Sequence, residues 1–250
     1  MTVADRRLNL GCGTTSAPGW VNMDGSWAAW LSRHRAVRRA LIRGGILPER
    51  VGEGDWPDDV IVRDLRRTLP FPAESFDAIY ASHVVEHLYR TDARRLLAEC
   101  FRILRPGGVL RVVVPDLKAI VDEYAGNGQG NARDNGSEKR GDPCERLNQR
   151  LMLRHDHPPD GPLHLRLYAF FSDFHSHKWV YDAPHLVALF REAGFDDAAP
   201  HEYLESGIPG IAEVERASRV LDGEGIVVEA TRPSPSLVTA AAGLRSKASS

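Results

Sequence analysis

Three features that define other protein classes are missing from this chain. Its longer apolar runs, such as Val109–Val114, fall far short of the roughly 20 residues that span a bilayer. The first residues, Met1–Arg7, lack the apolar core of a signal peptide. The three cysteines, Cys12, Cys100 and Cys144, are too few and too scattered for a disulfide framework. We expect a reduced, cytoplasmic protein without stable membrane insertion.

A strong charge of either sign is also missing. The chain has 32 Lys and Arg against 34 Asp and Glu, a net charge of −2, and its pI is about 6.6. A protein this close to neutral has no overall field that would draw it to nucleic acid or to an anionic membrane. We therefore expect a small-molecule partner and no nucleic acid.

What the chain does contain is an alternation of strand-like and helix-like segments. This pattern predicts a mostly parallel α/β sheet with helices on both faces, and 250 residues suffice for one substantial core. We expect one domain over residues 1–232, with insertions at 27–57 and 126–162 and a disordered tail at 233–250. The predicted strands are Arg7–Leu10, Gly19–Met23, Asp59–Arg63, Phe76–Ala81, Val109–Val114, Ala198–Tyr203 and Ile226–Ala230. The predicted helices are Trp27–Arg43, Asp92–Leu104 and Pro184–Ala193.

The two insertions differ in composition. The second is polar and rich in Gly, Asn, Asp and Pro, which is typical of a long loop. The first is rich in arginine, and contact with an acidic substrate, a lipid-linked sugar phosphate or a membrane surface is one interpretation. We favour a solvated cationic face over a packed apolar stripe. The stripe consists of Trp27, Trp30, Leu31, Val37 and Leu41.

The first predicted strand runs into a glycine turn, Leu8-Asn9-Leu10-Gly11-Cys12-Gly13. Glycines let the backbone approach a ligand closely, and a helix that starts after such a turn offers unpaired N–H groups to anionic atoms. Ser16 stands where the third glycine of GxGxxG would be, which disfavours a nicotinamide or flavin cofactor. The turn alone is weak evidence for a ligand.

Acidic residues end the next two predicted strands. Asp24 is placed to accept hydrogen bonds from ribose hydroxyls. Asp64 is placed to accept one from an adenine amine, with Leu65 packing on the ring. Either acid alone is better explained as a turn or N-cap residue. Two such acids after successive strands instead indicate a nucleoside site.

These segments resemble the class I methyltransferases, and more narrowly the small bacterial predicted methyltransferases often linked to sugar and cell-surface biosynthesis. The resemblance covers residues 7–116 well and resumes after the second insertion. Its segments are Leu8–Gly13, Asp24, Asp64–Leu88, Leu104–Asp116, His177–Asp182 and Ala193–Phe195.

The resemblance implies a Rossmann-like fold and S-adenosylmethionine as the cofactor. Asp24 is expected to bind the ribose and Asp64 the adenine, while Ser82 and His83 lie closest to the sulfonium. Asn9 stands where most class I enzymes have an acid, so it can accept a hydrogen bond but supplies no charge for the methionyl ammonium. The implied cofactor-binding residues are Asn9, Gly11, Cys12, Gly13, Asp24, Asp64, Leu65, Ser82 and His83.

The segment Ser82–His87 supplies candidates for catalysis. Methyl transfer is an in-line displacement that requires alignment of the nucleophile, and a hydroxyl acceptor benefits from a base. In a short helix, His83 and His87 would share a face and Glu86 would lie beside His83. We predict His83 as the general base and Glu86 as the second catalytic residue. His87 is better explained as a brace of the turn.

A divalent metal held by His83, Glu86, His87 and a distal histidine is an alternative. The spacing resembles a Glu-x-x-Glu-His metal site of some class I O-methyltransferases that act on small-RNA termini, but here a histidine replaces the first acid. Paired histidines also favour softer metals than Mg²⁺. No metal ligand is therefore assigned from the sequence.

Seven of the ten histidines lie after residue 150. No cysteine pairs with the spacing of a structural zinc site accompany them, so a polar pocket for a hydroxyl-rich acceptor is the better explanation. Trp179, in the same region, is expected to belong to the core. The predicted substrate-binding residues are His164, His177, Lys178 and Tyr181.

Together these features predict an O-methyltransferase that acts on a hydroxyl of a sugar or another polyhydroxylated metabolite. A phenolic or polyketide acceptor would need a more apolar pocket. RNA ribose methylation is suggested by His83-x-x-Glu86-His87 but opposed by the pI and the lack of an appended RNA-binding module. A cofactor-binding scaffold without turnover is the third alternative.

Overall fold

The computed structural model of the chain describes residues 6–47, 56–126, 143–152, 176–221 and 225–234. The predicted tail lies outside the described residues except for 233 and 234. The same holds for most of the insertion at 126–162, of which residues 126 and 143–152 are described.

Seven strands form one sheet in the order β3-β2-β1-β4-β5-β7-β6. Strand β7 runs antiparallel to both of its neighbours, and the other strand pairs are parallel. The predicted seven-stranded, mostly parallel Rossmann-like sheet is thereby confirmed. The strands are β1 Arg7–Leu10, β2 Trp20–Asp24, β3 Ile61–Val62, β4 Phe76–Ser82, β5 Leu104–Val114, β6 Asp196–His201 and β7 Ile226–Thr231.

Helices and short turns connect these strands. The helices are α1 Trp27–Arg33, α2 Arg35–Arg43, α3 Arg90–Ile103, α4 Leu117–Tyr124, α5 Pro143–Leu151, α6 Ala183–Glu192 and α7 Ala217–Val220. Two 3₁₀ turns, Val85–His87 and Ile211–Glu213, complete the described elements. No helix in the described ranges is both long and apolar enough to cross a bilayer.

Helix α6 shows how local sequence sets the element bounds. The Asp182 carboxylate accepts a hydrogen bond from the His185 backbone N–H, and a proline stands in the first turn, where its missing N–H costs nothing. Gly194 follows the helix with a φ of 98°, a left-handed conformation that favours glycine. Leu186 and Phe190 lie one helical turn apart on the buried face of α6, and this face packs against the sheet.

The central strands are buried on both faces. Ile79 and Val112 belong to the core cluster that includes apolar side chains of α3 and α6. Their chain neighbours Tyr80 and Val113 belong to a second cluster, which includes Val220 of α7. Because successive strand residues point to opposite faces, this division places packed layers on both sides of the sheet.

The carboxyl ends of three neighbouring strands are level. Leu10 of β1 pairs with Met23 of β2 on one side and with Ala81 of β4 on the other. The strand order reverses direction between β1 and β4, and such a switch point opens a crevice at the carboxyl edge. The glycine turn after β1, Asp24 and Ser82 therefore meet at one crevice.

The arginine-rich segment forms two helices, so the continuous helix predicted over Trp27–Arg43 is wrong. The chain breaks at His34, whose ring stacks on Trp30 with centroids 4.0 Å apart and whose Nδ1 lies 2.8 Å from the Trp30 carbonyl oxygen. None of the residues of α2 is buried. The predicted packed stripe is also wrong in part, because Leu31 is buried whereas Trp27 is 43% exposed.

Part of the insertion predicted as a loop is helical. Pro143 begins α5, a position that tolerates its missing N–H. Arg146 and Arg150, one turn apart, both form ion pairs with Glu123 of α4. The loop prediction rested on overall composition, in which the Gly- and Asn-rich flank hid this short helical pattern.

A buried ion network lies under the β5–β7 pair. The Arg111 guanidinium on β5 is fully buried and contacts Glu215 at 2.8 Å and Glu229 at 3.1 Å. It also donates to the carbonyl oxygens of Glu202 and Glu205. Nothing in the sequence indicated it, since Arg111 stands within an apolar run and its partners are about 100 residues away.

Candidate functional site

The glycine turn after β1 presses against the segment after β4. Gly11 and Gly13 have φ angles of 66° and 60°, and the N–H groups of Gly11 and Cys12 donate to the Met23 carbonyl oxygen at 2.8 and 3.2 Å. A Cβ at Gly11 would lie 2.2 Å from Cγ2 of Val84. A Cβ at Gly13 would meet no atom of the described chain within 4 Å, so this side of the turn is open to a ligand.

These environments predict unequal costs for two otherwise similar substitutions. Both alanine variants carry the strain of a left-handed residue, but only Gly11→Ala also creates a steric clash. We expect Gly11→Ala to destabilise the fold by about 1–3 kcal/mol more than Gly13→Ala, the usual cost of overpacking. Urea unfolding of the two variants measures the difference. Equal losses would show that the Val84 contact is not tight.

Asp24 links the glycine turn to the start of α1. Its Oδ2 accepts a hydrogen bond from the Gly13 N–H at 2.9 Å and its Oδ1 accepts one from the Ser26 N–H at 2.7 Å. The carboxylate thus stabilises the turn and the start of α1 by accepting hydrogen bonds from their backbone N–H groups. Each carboxylate oxygen can accept a further hydrogen bond, so this role is compatible with the predicted contact to ribose.

The Cys12 thiol is a neutral lining group of the same turn. Burial and, to a smaller extent, the neighbouring Asp24 carboxylate raise the pKa of Cys12 to about 12. A thiol in this environment stays protonated at neutral pH and is a poor nucleophile. The position therefore fits the predicted lining of a cofactor and excludes thiolate chemistry.

Asn9 belongs to a buried amide network. Its Nδ2 donates to Oδ1 of Asn22 at 3.1 Å. Asn22 in turn accepts from the Ala17 N–H and donates to the Asp59 carboxylate. The Asn9 side chain ties β1 to β2, and its contact with a methionyl group stays a prediction.

A cleft of about 420 Å³ opens over the ends of β2 and β3. Asp64 lines it and is held by Arg66, whose Nε and Nη2 donate to the carboxylate at 2.9 and 3.0 Å. The hydrogen bond from Arg66 lowers the pKa of Asp64. Trp27 and Trp30, stacked with centroids 4.8 Å apart, line the same cleft. Their helical spacing suggested core residues, and the sequence held no signal that they face a cleft.

Gly25 lines this cleft, and Leu65 lies directly beside Gly25. Leu65 is buried in the main core cluster directly after Asp64. A Cβ at Gly25 would lie 2.7 Å from the Arg63 carbonyl oxygen, so the two strand ends approach closely only because Gly25 has no side chain. Packing of Leu65 on an adenine ring stays a prediction.

His83 follows β4 in a strained conformation. Its φ is 54°, uncommon for a residue with a side chain, and its N–H donates to the Val113 carbonyl oxygen at 2.9 Å. Its Nδ1 lies 3.1 Å from Oε1 of Glu86, and its Nε2 lies 3.2 Å from the Arg219 carbonyl oxygen. The expected proximity to Glu86 is present, although it arises from one 3₁₀ turn rather than from an α-helix.

Glu86 connects this turn to the segment before α6. Its side chain is fully buried, and its backbone carbonyl oxygen accepts hydrogen bonds from the N–H groups of Lys178 and Trp179 at 2.7 and 3.2 Å. The His87 ring lies 5.0 Å from that of His177, centroid to centroid. Burial lowers the pKa of His177, which favours the neutral ring. In the described part of the chain, Glu86, His87 and His177 each offer one potential ligand atom, and these atoms lie within 4.8 Å of one another.

The remaining predicted acceptor residues have unequal exposure. Tyr181 is 1% exposed and lies in the core cluster, and burial raises the pKa of its hydroxyl to about 12. Lys178 Nζ donates to Oγ of Ser176. His164 lies outside the described residues. The expectation that Trp179 belongs to the core is wrong: it is 37% exposed, and the Arg90 guanidinium lies 4.6 Å from its ring centroid.

Several solved structures are similar to this chain. One is an S-adenosylmethionine-dependent methyltransferase from Thermotoga maritima, 18% identical over 93% of this chain and 84% of its own, with a TM-score of 0.44. Another is a methyltransferase of the same cofactor dependence from Archaeoglobus fulgidus, 16% identical over 91% of this chain and 86% of its own, with a TM-score of 0.41.

A curated relative and a family model match at the level of sequence. A protein of Mycolicibacterium smegmatis named "Probable S-adenosylmethionine-dependent methyltransferase" is 46% identical over 48 residues. That match spans 19% of this chain and 18% of the relative. The model of the methyltransferase domain matches residues 8–112, which hold the glycine turn, Asp24, Asp64 and the His83–Glu86 pair. Residues 8–112 therefore match the methyltransferase domain family.

Proposed function

We propose that the chain transfers a methyl group from S-adenosylmethionine to a hydroxyl of a sugar or another polyhydroxylated metabolite. The observation that carries this proposal is the position of the His83–Glu86 pair directly beside the glycine turn. Val84, the residue after His83, is the one that packs against Gly11. A histidine with a carboxylate partner next to a cofactor turn has the composition of a general base for a weakly acidic hydroxyl.

The residues at the crevice fit the proposed cofactor. Gly13 leaves open space where a side chain would project, and the Asp24 carboxylate has acceptor capacity left for ribose hydroxyls. The cleft between Asp64 and the stacked Trp27 and Trp30 offers polar and aromatic surface to an adenine ring. When bound there, S-adenosylmethionine supplies an electrophilic methyl group.

The proposed role of His83 depends on its two ring nitrogens. Nδ1 lies 3.1 Å from Oε1 of Glu86, within the range of a charge interaction. Nε2 faces the Arg219 carbonyl oxygen, so an acceptor hydroxyl has to replace that contact. The hydroxyl oxygen then bonds to the methyl carbon as the sulfur–carbon bond breaks, and the hydroxyl proton moves to Nε2. Alignment of these atoms and removal of the proton are the protein's contribution.

The polarity of the neighbouring surface supports a hydroxyl-rich acceptor. Lys178 lies beside the Glu86 turn, next to the buried His177, and the exposed Trp179 ring adds an aromatic face next to the cationic Arg90. Aromatic faces flanked by hydrogen-bonding groups suit sugars, whereas a phenolic acceptor calls for a more apolar pocket. His164 belongs to the proposed acceptor pocket on sequence grounds alone.

A panel of acceptors tests the proposal. The full chain is incubated with methyl-labelled S-adenosylmethionine and with sugars, nucleotide sugars, phenols or RNA, and label in each acceptor is measured. We expect label in the saccharide class, removed by His83→Ala. Label confined to phenols or RNA would refute the acceptor class. Cofactor binding without transfer to any class would support a binding scaffold.

The proposed ribose contact predicts a loss of cofactor affinity in Asp24→Ala. Hydrogen bonds to a charged group contribute about 1.5–3 kcal/mol, so we expect affinity to fall roughly 10- to 100-fold. Calorimetry with S-adenosylhomocysteine measures the change, and Asp196→Ala is the matched control because Asp196 is exposed on β6 at the far edge of the sheet. Unchanged affinity in a folded Asp24→Ala variant would exclude Asp24 from the site.

A further inference from the structure

Three side chains with metal-ligating atoms converge next to the proposed base. Glu86, His87 and His177 each offer one ligand atom, and these atoms all lie within 4.8 Å of one another. Glu86 and His87 come from the 3₁₀ turn after β4, whereas His177 comes from the segment before α6. Tertiary structure thus brings together residues that are 90 positions apart.

The Glu86 carboxylate and Nδ1 of His177 are buried and lack ordinary partners. Glu86 is fully buried, and among the described residues neither of its carboxylate oxygens accepts a well-directed hydrogen bond. His83 Nδ1 approaches Oε1 to 3.1 Å without the geometry of one. Nδ1 of His177, a residue that is 6% exposed, likewise has no hydrogen-bond partner in the described ranges. Burying such groups is costly unless a charge or a ligand compensates.

A backbone contact orients the His87 ring for ligation. Nδ1 of His87 lies 3.3 Å from the Ser176 carbonyl oxygen, and donation by Nδ1–H to that oxygen puts the ring lone pair on Nε2. Metal-ligating histidines in proteins are held in this way by their second nitrogen. Nδ1 of His177 faces no hydrogen-bond partner in the described ranges, so its lone pair is available to an ion.

The site is also held together by its own main chain. The N–H groups of Lys178 and Trp179 both donate to the Glu86 carbonyl oxygen, and the His177 N–H donates to the Met152 carbonyl oxygen at 2.9 Å. The segment that carries His177 is therefore fixed against the turn that carries Glu86. A preformed set of ligands loses little conformational freedom when an ion binds.

We propose that Glu86, His87 and His177 bind one divalent transition-metal ion, for which Zn²⁺ is the best match. Two imidazoles and a carboxylate form a ligand set that proteins use for zinc, whereas Mg²⁺ and Ca²⁺ prefer oxygen ligands. Around a tetrahedral Zn²⁺ with bonds of about 2.0–2.2 Å, ligand atoms lie about 3.4 Å apart. The present separation of up to 4.8 Å shortens to this value if the side chains rotate slightly. Three protein ligands leave one position for water or an acceptor hydroxyl.

Metal content of the parent protein is the primary test. The untagged full chain is stripped with chelator, incubated with Zn²⁺, dialysed and assayed by mass spectrometry for about one bound ion per chain. Co²⁺ added in place of Zn²⁺ should give the visible absorption of a four-coordinate site, which Zn²⁺ should displace. A protein that retains no Zn²⁺, or binds Co²⁺ only with the weak spectrum of a hydrated ion, would overturn the proposal.

Variants identify the ligands independently of activity. We expect Glu86→Gln and His177→Ala to lower Zn²⁺ affinity by more than about 100-fold, because outer-shell partners alone contribute 10- to 100-fold. His201→Ala on β6 is the control histidine and should bind Zn²⁺ like the parent. Circular dichroism of the stripped proteins shows whether each variant is folded. Parent-like affinity in both folded ligand variants would overturn the assignment.

The proposed metal site and the proposed methyl transfer, on which the catalytic setting of the site rests, are tested by independent measurements. Zn²⁺ binding is measured without cofactor or acceptor, so its absence leaves the transferase proposal intact. Conversely, a chain that binds Zn²⁺ through these three residues but transfers no methyl group retains the metal site and loses the proposed function.

Discussion

Replacement of His83 by alanine is expected to lower turnover by roughly 10²–10⁴-fold, the usual contribution of a general base. The His83 imidazole lies beside the glycine turn. One ring nitrogen, Nδ1, lies near the Glu86 carboxylate, and the other, Nε2, faces the Arg219 carbonyl oxygen. Its removal leaves an acceptor hydroxyl with no base, while the turn and Asp24 remain in place. Cofactor affinity should therefore change little.

Single-turnover kinetics and calorimetry on the same protein separate these effects. His201→Ala on β6 controls for loss of a histidine remote from the crevice. His83→Ala should still bind Zn²⁺, since His83 lies outside the proposed ligand set, whereas His177→Ala should not. If His83→Ala keeps most of its turnover, the base is another group, and His164 is the next residue to replace.

Replacement of Arg111 by methionine is expected to destabilise the fold by about 3–5 kcal/mol. The substitution keeps much of the side-chain volume but leaves the carboxylates of Glu215 and Glu229 buried without their cation. It also removes the donors to the carbonyl oxygens of Glu202 and Glu205. Uncompensated buried charge, rather than lost packing, causes the effect.

Urea unfolding gives the free energy of unfolding for this variant and its controls. Arg105→Met breaks the partly exposed ion pair with Asp77 and should cost less than about 1 kcal/mol. Adding Glu215→Leu to Arg111→Met removes one of the stranded charges and should recover part of the stability. A loss under 1 kcal/mol for Arg111→Met alone would contradict a structural role for the network.

The sheet was predictable because its signals are local. Apolar runs such as Phe76–Ala81 and Ile226–Ala230 marked strands within one residue of their observed ends. The glycine turn and the acids Asp24 and Asp64 were predicted at strand ends, and β1 and β2 end level with each other. Parallel strands align their carboxyl ends, so local sequence places these groups on one edge.

Predictions that depended on what packs against a segment failed more often. The break at His34 follows from a ring that stacks on Trp30 and faces its carbonyl oxygen, a preference that helical spacing does not reveal. Trp179 was assigned to the core and is exposed, because hydrophobicity alone does not say which neighbours cover a ring. The helix Pro143–Leu151 was hidden by the composition of its surroundings.

The sequence by itself determined the class of the sheet, the glycine turn and the candidate cofactor residues, since strand period, turn chemistry and strand-end acids act over a few residues. Only the tertiary structure decided which distant groups meet. It set Val84 against Gly11, placed the Arg219 carbonyl at His83, enclosed Arg111 with Glu215 and Glu229, and brought His177 to Glu86 and His87. These contacts join segments that the sheet brings together, and the spacing of residues along the sequence does not predict them.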